Sequence, residues 1–319
     1  MNTAKPTEAS FYDAASTLIE HFAQTRPMHA NSLLVSVYGD TICPHIDTIW
    51  LGILIKLVEP LGINQRLVRT SVFRLSEKGV LVSQQVGRRS YYSLTERAHR
   101  QFLSASKRIY ASQALAWDKQ WRLVLTSLGK LSNEQRETVR KELLWLGFSR
   151  ITIGVYAHPT ADLSEVQRVI RELELGDGIA VLKAGAADSE QVPVTNILIS
   201  DCFDLKQSEH NYQMLIDDFQ GIHEAAQSAE SLDPKLCFLV KTLLIHRFRH
   251  ILLKEPELPD ALVAEGSASW RARELVGNLY KLIYSAADEY FYAVCETQSS
   301  TFPKIENPYF NRFVALRSI

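Results

Sequence analysis

The sequence predicts an α+β protein of several domains. A winged helix–turn–helix lies near the N-terminus, a ferredoxin-like βαββαβ domain in the middle, and a mainly helical domain at the C-terminal end. Three observations predict this. Residues 50–94 read as helix, tight turn, helix and a hairpin with a basic tip. Residues 120–183 alternate strand-like and helix-like periods in the order βαββαβ. Beyond residue 201, long stretches carry apolar residues at helical spacing. A chain of 319 residues, 46% of them hydrophobic, accommodates two or three such cores. The expected segments are an N-terminal helix (1–27), the winged module (28–94), a connector helix (95–118), the ferredoxin-like domain (119–200) and the helical domain (201–319).

Taken in order, Phe11–Gln24 has apolar or aromatic residues at 11, 15, 18, 19 and 22 and predicts an amphipathic helix. Met28–Tyr38 predicts the first helix of the winged module, with Leu33, Leu34 and Val37 facing inward. Leu51, Leu54, Leu57 and Val58 make one face of the next helix, which Pro60-Leu61-Gly62 ends. Asn64 suits the N-cap of the following helix, since its side-chain oxygen can accept a free backbone N–H. In that helix Leu67, Val68, Ser71, Val72 and Leu75 form the inner face. Arg66, Arg69, Thr70, Phe73 and Glu77 form the outer face, with Arg74 at the border. Gly79 stops the helix, and Val80–Val86 and Ser90–Leu94 form a hairpin around Gly87-Arg88-Arg89.

This layout places the second helix in a DNA major groove and the hairpin tip along a backbone or minor groove. Gln65, Arg66, Arg69, Thr70, Phe73 and Arg74 are therefore the candidate reading residues, and Arg88 and Arg89 those of the wing. Arg66 and Arg69 suit guanine edges, Gln65 and Thr70 bases or phosphates. Phe73 suits a thymine methyl or packs on the wing. The plainer alternative is an α+β core with solvated arginines. Charge weighs against it: residues 28–110 hold 11 Lys/Arg against 5 Asp/Glu, net +6, on a chain whose total is −1. A basic module on an acidic body is the footprint of a DNA-binding regulator.

Four blocks in this region carry a family resemblance. Ser32-Leu33-Leu34-Val35-Ser36-Val37-Tyr38-Gly39-Asp40, Ile49-Trp50-Leu51-Gly52, Leu67-Val68-Arg69-Thr70 and Gly87-Arg88-Arg89-Ser90-Tyr91-Tyr92 resemble the PaaX family, repressors of phenylacetic acid catabolism. The resemblance extends more loosely to Leu244-Ile245-His246, Arg247-Phe248-Arg249 and Pro256-Glu257-Leu258-Pro259. Phe203-Asp204-Leu205 departs from the family's Trp-Asp-Leu.

After the wing, Thr95–Trp117 predicts a long polar helix, a connector or a dimerisation element. The middle domain is then read as strand Trp121–Thr126, helix Asn133–Leu146, strands Phe148–Ile151 and Ile153–His158, helix Leu163–Leu175 and strand Gly178–Lys183. The resemblance implies that this domain is Cas2-like. A Cas2-like nuclease would want a carboxylate at the end of its first strand to hold a divalent metal, and Leu125-Thr126-Ser127 offers none. A loop (Ala184–Pro193), a further strand (Val194–Ile199) and helices at Tyr212–Ala229, Pro234–Leu253 and Trp270–Glu296 complete the expectation.

Other constellations are weak. Cys43, Cys202, Cys237 and Cys295 show no paired spacing, so neither a disulfide framework nor a zinc site is expected. His246 and His250 stand at i and i+4, but Arg247 and Arg249 flank them and no third ligand follows. The longest apolar run, Ile49–Val58, is too short for a bilayer, and the first residues do not read as a signal peptide. A cytoplasmic protein is expected, with no cofactor and no metal. Arg247, Arg249, His250 and Lys254 suit either a phosphate-binding patch or a solvated helix face.

The resulting expectation is a repressor that binds double-stranded operator DNA as a homodimer. The resemblance implies release by phenylacetyl-coenzyme A. Its site is expected where the middle and C-terminal domains meet, with Arg247 and Arg249 on phosphates and Trp270 or Tyr284 flanking the ring. The alternative is an enzyme acting on nucleic acid or an acyl thioester. Against it stand the missing carboxylate and the lack of a nucleophile–base pair.

Overall fold

The computed structural model describes residues 10–25, 29–111, 117–128, 131–185, 205–253, 258–259, 262, 266–296 and 312–313. The expected strand Val194–Ile199, most of the loop before it, Phe203-Asp204 and Lys254 lie outside them. Two compact units result: one comprises 1–112, 214–249 and 272–319, the other 113–213 and 250–271. No helix among the described residues is long and apolar enough to cross a membrane.

In the first unit, α1 (Phe11–Gln24) starts at Ser10, whose hydroxyl accepts from Asp13 N at 3.2 Å, and buries Phe11, Ala15 and Ile19. α2 (Ala30–Val37) does not stop where the sequence predicts. It runs on through a π-helical turn, Tyr38–Ile42, into α3 (Cys43–His45). The turn persists because Tyr38, Asp40, Thr41 and Ile42 are all buried. β1 (Thr48–Trp50) was not expected: three residues are too few to show a period, and only pairing with a distant strand defines it.

α4 (Leu51–Val58) ends in the 3₁₀ turn Glu59–Leu61, and Gly62 takes the left-handed conformation (φ 78°) that closes it. Asn64 then caps α5 (Gln65–Glu77) by accepting from Leu67 N at 2.9 Å. α5 buries Val68, Ser71, Val72 and Leu75 and packs on α2. β2 (Leu81–Val86) and β3 (Arg89–Leu94) form the hairpin, and β1 joins on the far side of β3 to give the antiparallel order β1-β3-β2. α6 (Glu96–Ile109) follows, shorter than the expected Thr95–Trp117. Thr95 caps it by accepting from Ala98 N at 3.2 Å.

The second unit contains β4 (Gln120–Leu125), α7 (Asn133–Trp145), β5 (Ser149–Thr152), β6 (Val155–His158), α8 (Leu163–Glu172) and β7 (Ala180–Gly185). Ala184 and Gly185 thus continue the last strand rather than starting the loop. The sheet order β5-β6-β4-β7, with every neighbour antiparallel, is the ferredoxin-like arrangement. Ser132 and Gln135 form a capping box at the start of α7. Val124, Val139, Leu143, Phe148, Tyr156, Val166 and Leu175 make the core between sheet and helices. Trp121 and Ala157 make a smaller cluster with Trp117, Leu258 and Leu262.

Three long helices follow among the described residues: α9 (Leu205–Ser228), α10 (Pro234–Leu252) and α11 (Ala268–Glu296). Every residue of α10 from Cys237 to His246 is buried, so the helix is core on all sides. Residues 234–249 of it belong to the same unit as α1–α6.

Candidate nucleic-acid interface

The outer face of α5 is open along its length. Gln65, Arg66, Arg69, Thr70, Phe73 and Arg74 are all exposed, while the intervening apolar positions hold the helix to α2. Phe73 is 62% exposed, so it does not pack on the wing. With its amide oxygen turned toward Arg69, Gln65 accepts from that guanidinium at 2.9 and 3.3 Å. Thr70 Oγ1 donates to Arg66 O at 3.0 Å and keeps its lone pairs outward.

The hairpin turns on Gly87 and Arg88, and Arg88 is exposed at its tip. Arg89 is not part of the tip: it is the first residue of β3, with its guanidinium 4.6 Å from the centre of the Trp50 ring. Gln85 braces the turn, donating to Gly87 O at 2.9 Å and accepting from Ser90 Oγ at 2.9 Å.

Of the four residues expected to meet an effector, Arg247, Arg249 and Tyr284 belong to the first unit and Trp270 to the second. Arg247 is exposed and ion-paired with Asp218 of α9. Arg249, two residues on, faces α2. Its Nε donates to Ser36 Oγ at 3.1 Å, and NH2 donates to Ser32 O at 3.1 Å and Ser32 Oγ at 3.0 Å. Burial makes the charged form of Arg249 less favourable and lowers its pKa. His246 Nδ1 lies 3.0 Å from the same Ser36 hydroxyl, and its ring meets Phe22 edge-on. Tyr284 lies parallel to Tyr280, ring centres 6.3 Å apart, in the first unit. Trp270, exposed, belongs to the second unit.

The sequence reading missed a buried ionic cluster behind the interface. Asp40, in the π-helical turn, accepts from Tyr110 OH at 2.6 Å, Tyr280 OH at 3.1 Å and Arg312 NH1 at 3.0 Å, and lies 3.6 Å from Lys241 Nζ. Lys241 is 0% exposed and donates to Asp288 at 2.9 Å. His45 Nδ1 donates to Thr41 O at 2.6 Å, and its Nε2 is 3.3 Å from Asp288. Arg312 stacks on Tyr110 at 3.9 Å. Burial opposes the Lys241 ammonium, yet the charges of Asp40 and Asp288 raise its pKa above the usual lysine range. Two carboxylates against two cations leave the cluster formally balanced. The signal in the sequence was a lysine inside the apolar run Leu239-Val240-Lys241-Thr242-Leu243-Leu244.

Residues 29–98 match the family described as PaaX-like protein, 114–193 the PaaX protein central Cas2-like domain, and 203–293 the PaaX-like protein C-terminal domain. The transcriptional repressor PaaX of Escherichia coli (strain K12) is 32% identical over 301 residues, covering 94% of this chain and 95% of the relative. A solved structure of an uncharacterised Mycobacterium tuberculosis protein aligns with a TM-score of 0.46 at 20% identity, over 76% of this chain and 90% of that one.

Proposed function

This chain belongs to the PaaX-like family, and on that premise we propose that it is a DNA-binding transcriptional repressor of phenylacetate catabolism. We read α2, α4, α5 and the β2–β3 hairpin as a winged helix–turn–helix. The observation that carries the reading is the exposed Arg66–Arg69–Arg74 face of α5, set beside a hairpin whose tip is Arg88. α5 would enter the major groove and Arg88 would meet a phosphate.

The test is a gel shift and footprint on promoter DNA of a phenylacetate catabolic operon. Protection of a defined site supports the reading, and binding no tighter than to random duplex rejects it. Arg69→Ala is expected to cost about 1–3 kcal/mol and to relax the preference at one base position. Arg88→Ala is expected to weaken all sequences alike and to flatten the salt dependence by about one unit of slope. An Arg69→Ala protein that footprints as the parent does would show that α5 is not the reading helix.

A homodimer on an imperfect palindrome belongs to the same proposal. One reading helix covers too few base pairs for a genome-scale search, and two-fold symmetry doubles the contact. Sedimentation is expected to give a dimer on operator DNA, with half-sites about one helical turn, or a multiple, apart. A monomer both free and bound would refute it. The proposed effector is phenylacetyl-coenzyme A, which would bind the C-terminal helices and release the DNA.

A further inference from the structure

We infer that Trp50 is a positioning residue for DNA binding, its indole holding the Arg89 guanidinium at the base of the wing for a phosphate. The inference rests on the reading that this hairpin meets DNA.

The placement follows from strand register. β1 pairs with β3 so that Trp50 lies opposite Tyr91, which puts Arg89, two residues before Tyr91, diagonally across on the same face. The guanidinium carbon sits 4.6 Å from the ring centre. A second contact fixes the indole as well. A Cβ at Gly52 would come within 2.5, 2.6 and 2.7 Å of three carbons of the Trp50 six-membered ring, so the ring lies directly on the glycine backbone. The indole thus contacts both the first turn of α4 and an arginine side chain.

This arrangement suits an anion better than it suits the fold alone. Arg89 is exposed, and among the described residues no carboxylate pairs with it. A guanidinium held over an aromatic ring with no carboxylate on its N–H groups keeps those donors open, and a phosphate can take two of them at once. A free arginine would have to lose its rotamer freedom on binding, whereas a stacked one has already lost much of it. β1 is three residues long, and the strand brings the indole to this position on β3.

The test is a double-mutant cycle between positions 50 and 89. Binding is read by fluorescence anisotropy on a promoter fragment and on a scrambled duplex of equal length. Trp50→Ala is expected to weaken both about two- to fivefold, the equivalent of an exposed cation–π contact. In an Arg89→Ala background the same change is expected to have no further effect. Trp50→Phe should restore most of the loss, and Arg89→Lys, which keeps the charge without the planar stack, should not. If Trp50→Ala does not fold, Gly52→Ala displaces the ring while keeping the tryptophan, and the same pattern is expected against Arg89→Ala. A Trp50 effect of equal size in both backgrounds would mean a purely structural role and overturn the inference. Parent-like binding by Arg89→Ala would overturn it too. A parent protein that binds neither duplex would reject the DNA-binding reading itself.

Discussion

Replacing Asp40 with alanine is expected to loosen the first unit by about 3–5 kcal/mol, the usual consequence of removing one partner from a buried ion pair. The change removes a carboxylate oxygen shared by three donors: Tyr110 OH, Tyr280 OH and Arg312 NH1. It also removes the carboxylate that lies 3.0 Å from Arg312 NH1 and 3.6 Å from Lys241 Nζ. The Lys241 ammonium cannot turn to water, since it is fully buried in the middle of a helix buried on all sides. Hydrogen exchange of the α10 and α11 amides should measure this locally, with protection falling by about two to four orders of magnitude, the equivalent of that energy. A whole-chain melting curve would be less informative, because two compact units need not unfold together.

The cycle partner is Lys241→Met, which removes a charge at similar length. Alone it leaves Asp40 and Asp288 facing each other with one cation fewer. Combined with Asp40→Asn it restores the charge balance, so the double variant is expected to lose clearly less protection than the two singles added together. Simple additivity would show that the two groups are not coupled. The cluster also bears on function. Asp40 lies in the turn that continues α2, the helix on which α5 packs. Lys241 and Asp288 lie on α10 and α11. A displacement of either C-terminal helix would therefore act on the support of the proposed reading helix through charges too costly to separate.

Much of the first unit was legible because its signals are local. Phe11–Gln24 is the helix its apolar spacing predicts, and Asn64 caps α5 as its position before the amphipathic run implies. The two faces of α5 also divide as expected, buried Val68, Ser71, Val72 and Leu75 against exposed arginines. The βαββαβ order of the central domain also followed from the alternation of short strands and helices.

What was not legible depends on long-range partners. β1 exists through Thr48, Ile49 and Trp50 pairing with Ser93, Tyr92 and Tyr91. The π-helical turn is held by Asp40, whose partners include Lys241, Tyr280 and Arg312, some 200 residues and more along the chain. Arg247 and Arg249 looked like one cationic patch because they are two residues apart. On a helix that spacing sends them to different sides, one to Asp218 and the other to Ser32 and Ser36.

Phenylacetyl-coenzyme A is expected to release the protein from operator DNA at concentrations where phenylacetate and coenzyme A, separately or mixed, do not. Moving a repressor from mostly bound to mostly released needs about 10⁴-fold preference for one state, or about 5.5 kcal/mol. Free phenylacetate offers one ring and one carboxylate, too few groups to distinguish two protein states by that much. The thioester adds a pyrophosphate, a 3′-phosphate and an adenine. Arg249 gives those phosphates something to act on. Its guanidinium is half-buried against three neutral oxygens of α2, and burial already works against its charge. A phosphate bond to arginine is charge-assisted and about twice as strong as a neutral one, so an anion arriving at α10 would draw Arg249 away from Ser32 and Ser36. The support of α2 would change in the liganded state only, which is the differential contact that release requires. In a gel shift titrated with the thioester, Arg249→Ala and the Arg247→Ala/Arg249→Ala double variant, which lack the contacts to Ser32 and Ser36 from the start, should bind operator DNA more weakly than the parent and respond little to the thioester. Arg249→Lys, with charge but no fork, should respond partly. Release by phenylacetate alone would rule out the thioester as the effector. Parent-like release of the double variant would leave the effector standing and remove these two arginines from its site.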